Sequence, residues 1–221
     1  MAGKTIKGID VSRWQGSIDF YKVKEAGYSF VIIKAGGSDM GFYKDPYFET
    51  NYEKAKAAGL HIGAYYFTGR LFYGERSGRL DALRFIEQIK GKLFEFPLFV
   101  DIETTLPGKK TEATEAAEAF CLEMEKAGYF AGIYASDIYG FRERLDHERL
   151  RRFAHWCADY SDPVEVCRDF QVRQISSHGT VPGINGYVDL DITDVNYLDI
   201  MKKNGLNGFT KAKKERKSND K

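Results

Sequence analysis

The chain has 221 residues, enough for one sizeable core, and single barrels occupy this range. Its 43% hydrophobic content, with 16 Phe, 14 Tyr and 2 Trp, excludes a disordered chain, and no run approaches the ~18–20 uncharged apolar residues of a membrane span. The net charge of +1 is unevenly spread: residues 202–221 hold eight Lys or Arg against two acids, while the rest of the chain is acidic and has no phosphate-cradling glycine motif, which excludes broad nucleic-acid binding.

The first residues, Met1 to Thr5, offer no apolar signal segment. Strands are predicted at 6–11, 29–35, 61–67, 97–103, 130–135, 153–159, 170–175 and 187–192, the number that closes a βα barrel. Three of them follow an Ala-Gly pair, Ala26-Gly27, Ala58-Gly59 and Ala127-Gly128. Glycine just past a helix end accepts the left-handed conformation that closes the helix, so each pair marks a helix-to-strand junction. Helices are predicted over 19–26, after Asp45-Pro46 as cap and first turn, over 77–89, and from a Thr111 cap through Met124. The last three strands are separated by segments too short for a standard crossover helix, so the end of the barrel is expected to be partly antiparallel. This gives an irregular α/β TIM-like barrel spanning residues 1–200 as a single domain, with 201–221 as a basic, flexible tail. Cys121, Cys157 and Cys167 are too few for a disulfide scaffold and read as thiols, and His61, His147, His155 and His178 are scattered without ligand spacing, which argues against a metal site.

Strand residues alternate faces. In 98–103 the apolar Leu98, Val100 and Ile102 share one side, for the helices, while Phe99, Asp101 and Glu103 share the other. Two carboxylates at i and i+2 have Cα atoms ~6.6 Å apart, so one negative charge raises the proton affinity of the other. That is the requirement for a carboxylic acid that stays protonated near neutral pH and serves as a general acid. A surface strand with two solvated acids is the alternative, and the apolar residues on both faces argue against it. Polar groups also end other strands, where barrel sites lie: Asp10, Lys34, Tyr66, Tyr134 and Asp189.

At these residues the sequence resembles family 25 of the glycoside hydrolases, the Chalaropsis-type lysozymes of bacteria, their phages and some fungi. The matching pieces are Gly8-Ile9-Asp10-Val11-Ser12 with Trp14-Gln15, the stretch 30–36, 45–52 with Ala57-Ala58-Gly59, Gly63 to Phe67, Val100-Asp101-Ile102-Glu103, Gly132-Ile133-Tyr134 and 179–190, in order over residues 6–197. The resemblance implies five βα units plus three strands, and hydrolysis of the β-1,4 bond between N-acetylmuramic acid and N-acetylglucosamine in peptidoglycan with no metal or organic cofactor. By position it implies Glu103 as general acid, Asp101 as its partner at the anomeric centre, Asp10 and Asp189 as flanking acids, and Tyr66, Tyr134 and Lys34 as substrate contacts. Asp189 is preferred to Asp191, which shares its face, on the pattern Val188-Asp189-Leu190. Departures are Arg173 and Ile175 around Gln174 where aromatics are usual, Arg13 where histidine precedes Trp14, and a 36–40 loop without tyrosine. Such a protein acts on the bacterial cell wall, either as a phage endolysin made in the cytoplasm or as a processed secreted enzyme, and its basic tail is suited to anionic wall polymers. A non-catalytic sugar-binding barrel, or a hydrolase of another N-acetylhexosamine polymer such as chitin, are the competing readings.

Overall fold

The computed structural model describes residues 5–161 and 163–211. In chain order these form β1 (Ile6–Val11), α1 (Phe20–Glu25), β2 (Phe30–Gly37), β3 (Tyr43–Lys44), α2 (Phe48–Ala57), β4 (His61–Phe67), α3 (Gly74–Ile89), β5 (Leu98–Asp101), α4 (Lys110–Lys126), β6 (Ala131–Ser136), α5 (His147–Leu150), β7 (Ala154–Ala158), β8 (Val172–Gly179), β9 (Val188–Thr193) and α6 (Tyr197–Asn204). A π-helical segment, Asp137–Arg142, follows β6. The sheet runs β1-β9-β8-β7-β6-β5-β4-β2 and closes through β1–β2, with the short β3 folded against β2 outside the closure.

This is the irregular α/β barrel that the sequence implies, with eight strands in the ring and five βα units before the last three strands. The reversal is confined to β9, antiparallel to both β8 and β1, whereas β7 and β8 remain parallel. The β7–β8 connection manages this without a helix among its described residues. Gly27, Gly59 and Gly128 all adopt positive φ, closing α1, α2 and α4 as the Ala-Gly pattern requires. Two helix starts differ from expectation: Asp45 accepts from the Tyr47 and Arg13 amides in the turn before α2 rather than capping it, and Thr111 lies inside α4.

Two apolar layers follow from strand alternation. Leu98, Val100, Ile102, Ile62, Ala64 and Ile133 face outward into the helix layer, against Phe85 of α3 and Phe120 of α4. Phe30, Phe99, Trp156 and Tyr134 fill the barrel interior. Each such burial stabilises by about 1.5–3 kcal/mol. Gly8 and Gly132 stand beside the largest of these rings: a Cβ at either would overlap Phe30 or Phe99, so small and bulky inward residues alternate. Residues 201–211, expected to begin the tail, instead close the bottom of the barrel. Met201 of α6 is buried there, and Asn207 donates to the Phe96 carbonyl at 2.7 Å and accepts from the Phe130 amide at 2.7 Å. The rest of the expected tail, 212–221, lies outside the described residues. The three cysteines are free and buried. The histidines are not all scattered in space: the rings of His147 and His155 are 4.8 Å apart.

Candidate active site

The C-terminal ends of the strands surround a cavity of about 310 Å³ into which Asp10, Lys34, Asp101, Glu103, Tyr134 and Asp189 all project. Six of the seven residues singled out from sequence thus share one mouth. The seventh, Tyr66, does not: it is fully buried on the outer face of β4, packed on Phe85 and Phe120, with its hydroxyl near Asp81 and Ser38. Its neighbour Tyr65 points into the cavity instead. Alternation explains the correction, because Tyr66 shares its face with the outward Ile62 and Ala64 and pairs with the outward Val100.

Asp101 ends β5 between Phe67 of β4 and Tyr134 of β6. Its carbonyl accepts from the Thr68 amide at 2.9 Å and hydroxyl at 2.8 Å, and the Ile102 amide donates to the Tyr134 carbonyl at 3.1 Å, so the strand end is held as far as Glu103. Glu103 stands at the lip, open on one side, with its carbonyl taking a hydrogen bond from Arg144 at 2.5 Å. Burial, then the charge of Glu103, holds the Asp101 carboxyl well above the usual aspartate range, and crowding around the Glu103 carboxyl raises it as well. Both carboxyls are therefore harder to ionise than free ones. Lys34 holds its ammonium over the Phe67 ring at 4.1 Å with Asp101 as its strongest charge partner, and so favours the anionic form of the deeper carboxyl against the burial that opposes it.

Across the cavity, Asp10 of β1 and Asp189 of β9 are direct antiparallel partners. Burial and then its acidic neighbours Asp191 and Asp189 push Asp10 up, and burial followed by the charge of Glu103 lifts Asp189 to about 6. Asp10 is oriented by Gln174, whose amide nitrogen donates to Oδ2 at 2.7 Å, while the Gln174 oxygen accepts from Tyr134 at 3.0 Å and Tyr160 at 2.9 Å. Asp191 lies below the cavity floor, buried, accepting from the Trp156 indole at 2.8 Å. Trp156 forms that floor, its ring 4.4 Å from Tyr134 and 5.9 Å from Tyr65. Trp14 and Tyr160 stand largely exposed at the rim.

Sequence reasoning missed Tyr65, Trp156, Tyr160 and the bridging role of Gln174. Alternation could have found the first two, since Tyr65 shares its face with Phe67 and Trp156 with Ala158. The contacts of Gln174 join strands distant in sequence and left no local signal. Arg173, in the place of an aromatic, donates to the Asp159 carbonyl at 3.1 Å and to the Ser161 carbonyl, tying down the start of the β7–β8 loop. A larger cleft of about 590 Å³ between α1 and residues 183–185 has no paired carboxylates in its wall.

A closed βα barrel with a carboxylate pair and two flanking acids at its C-terminal mouth has the parts of a glycoside-cleaving site. The profile of Glycosyl hydrolases family 25 matches residues 9–184, and the chain belongs to that family. It is 29% identical over 187 residues to the autolytic lysozyme of Clostridium acetobutylicum, covering 84% of this chain and 55% of the relative. It is 32% identical over 139 residues to the N,O-diacetylmuramidase of a Chalaropsis species, 61% of this chain and 60% of that protein. The chain thus spans little more than half the length of the Clostridium relative. Among solved structures it is similar to the CTP1L endolysin, with TM-score 0.77, 25% identity and coverage of 89% of this chain and 69% of the other. It is also similar to the bacterial lysozyme of Streptomyces coelicolor, with TM-score 0.72, 27% identity and coverage of 88% and 96%.

Proposed function

We propose that the chain is a lysozyme that hydrolyses the β-1,4 bond between N-acetylmuramic acid and N-acetylglucosamine in bacterial peptidoglycan. The observation that carries this reading is the Asp101–Glu103 pair on the inward face at the end of β5, sharing one cavity with Asp10 and Asp189. Glu103 at the lip protonates the departing sugar oxygen, and the partial desolvation of its carboxyl raises its proton affinity for that role. Asp101, with Lys34 as its counter-charge, faces the positive charge that develops at the anomeric carbon. Covalent attack and participation of the substrate acetamido group both use this pair. Asp10, fixed by Gln174, and Asp189 orient sugar hydroxyl and acetamido groups. Tyr134 and Tyr65 line the ring-sized space, while the exposed faces of Trp14 and Tyr160 offer stacking platforms for flanking sugars.

The similarity to an autolytic lysozyme and an N,O-diacetylmuramidase favours the muramic acid bond over chitin, and the intact acids favour turnover over mere binding. The test is turbidity clearing of purified cell walls with chitin as the parallel substrate, followed by identification of the new reducing ends. Clearing with reducing-end muramic acid is expected. Release from chitin alone, or binding to walls without new reducing ends, would overturn the reading.

A further inference from the structure

On the outer side of β7, away from the cavity, four side chains remote in sequence converge. His147 opens α5, His155 faces outward from β7, and Cys167 and Asp169 come from the loop leading to β8. One ligating atom from each lies within 4.8 Å of all the others. His147 Nε2 is 2.8 Å from Asp169 Oδ1, and His155 Nδ1 is 3.7 Å from the same oxygen. All three atoms are shut off from solvent, and none makes a directed hydrogen bond. His147 Nε2 and Asp169 Oδ1 meet as a close pair while His155 Nδ1 has no directed partner, and since a buried polar atom left unpaired costs about 1–3 kcal/mol, a cation in the space they share would satisfy all three.

The surroundings set the ligands in place. His155 Nε2 lies 3.2 Å from the Leu150 carbonyl and donates its proton there, which leaves the Nδ1 lone pair aimed at the cluster. A histidine that binds metal through one nitrogen commonly donates the other to a carbonyl in this way. The Asp137 carboxylate accepts from the backbone amides of Glu165 at 2.8 Å and Cys167 at 2.8 Å, and the loop is held so that the Cys167 side chain enters from a fixed direction.

We propose that His147 Nε2, His155 Nδ1, Cys167 Sγ and Asp169 Oδ1 bind one tetrahedral zinc ion. Two imidazoles, a thiolate and a carboxylate suit zinc and exclude calcium and magnesium, which take all-oxygen sets. Four protein ligands fill the coordination sphere, so the ion is structural and leaves no position for an activated water. Metal–ligand bonds of about 2.0–2.3 Å in a tetrahedron place ligand atoms roughly 3.3–3.8 Å apart, so His147 and Asp169 separate by about half an ångström on binding. Cys167 loses its proton to solvent as the ion enters. The location has a structural reason. The β7–β8 connection has no helix among its described residues to dock it on the barrel, and a zinc ion would fasten its far half to β7 and α5. Near its start the same loop carries Tyr160, which donates to the Gln174 oxygen at the cavity.

The competing occupants are an ion pair of His147 with Asp169 and a disulfide between Cys167 and its neighbour Cys157, whose thiols are in contact. The full chain, reduced, stripped with a chelator and then freed of it, is titrated with Co²⁺ followed by absorption and with Zn²⁺ followed by calorimetry and thermal unfolding. One equivalent of cobalt with the intense visible bands of a tetrahedral ion and a thiolate-to-cobalt charge-transfer band is expected, together with a Tm that rises on adding Zn²⁺. Cys167→Ser should abolish the charge-transfer band, and His147→Gln, near the surface, should weaken Zn²⁺ at least tenfold. Absence of the thiolate band in the wild-type chain, or Zn²⁺ affinity unchanged in both variants, overturns the proposal and leaves the four residues as an ion pair against β7.

Discussion

At the scale of single residues, the chemistry depends on which carboxyl holds a proton and which does not. Glu103→Gln keeps the shape of the lip but cannot donate to a leaving oxygen, so wall hydrolysis is expected to fall about 10²–10⁴-fold with the fold intact by circular dichroism. Asp101→Asn should be nearly as severe. A folded Glu103→Gln protein within tenfold of wild type would remove Glu103 from the role of acid. Asp189 and Asp191 are two residues apart on β9 and separate cleanly by position, one in the cavity and one beneath its floor. Asp189→Asn should cost about 10- to 1,000-fold in activity, and Asp191→Asn less. Asp191→Asn should also stabilise the protein at neutral pH. In the folded chain burial holds the Asp191 carboxyl well above its ordinary value of 3.8, so the folded state keeps this proton longer than the unfolded state does. Below 3.8 both states are protonated and the group costs nothing. As pH rises past that value the unfolded chain ionises first and stability falls. An amide still accepts from the Trp156 indole and carries no charge. Melting temperatures of parent and variant across a pH series should therefore diverge in favour of Asp191→Asn towards neutrality and converge as pH approaches 3.8. A deficit of the same size at every pH would mean that lost hydrogen bonds outweigh the removed charge.

At the scale of elements, strand alternation decides whether an aromatic serves the cavity or the core. Tyr65 and Tyr66 are adjacent on β4 and face opposite ways. Tyr65→Phe should lower wall hydrolysis, while Tyr66→Phe should leave it within about threefold and show its effect in thermal stability, since a lone buried hydroxyl contributes on the order of 1 kcal/mol. Equal losses of activity from both would contradict the assignment of faces. α3 packs closely on α4 behind β4 and β5, and Gly78 makes the approach possible: a Cβ there would strike the Ala116 carbonyl oxygen. Gly78→Ala should force the helices apart and cost about 1–3 kcal/mol, despite the better helix propensity of alanine. With a Tm shift of about 2–4 °C per kcal/mol for a chain of this size, differential scanning calorimetry resolves that loss. An unchanged Tm would mean that the two helices slide without penalty.

For the whole molecule, charge is divided between an acidic barrel and a basic end. Because Phe209 packs under the barrel, a truncation that keeps the described residues removes only 212–221, which takes out five basic residues and two acids. If these residues hold the chain to anionic wall polymers, truncation should weaken clearing of whole walls most at low salt, where screening is least, and leave cleavage of a small soluble muropeptide unchanged. Equal effects on both substrates, or a difference that salt does not alter, would exclude this role.

Much of this molecule was legible in its sequence because it is written in local periods. The eight strands, the glycine-closed helices and the inward face of Asp101 and Glu103 follow from alternation and capping, which need only a few neighbouring residues. The same alternation, applied to 61–67, would have put Tyr65 in place of Tyr66. What the sequence could not express are meetings between distant segments. The reversal confined to β9, the Gln174 bridge from Tyr134 and Tyr160 to Asp10, the docking of Asn207 under the barrel and the gathering of His147, His155, Cys167 and Asp169 all depend on how the sheet closes. The raised proton affinities of Asp10, Asp101 and Asp191 likewise come from removal of water by the whole fold. A local pattern sets which way a side chain points. Only the closed barrel sets what it meets there and how much water remains, and those two quantities decide its charge.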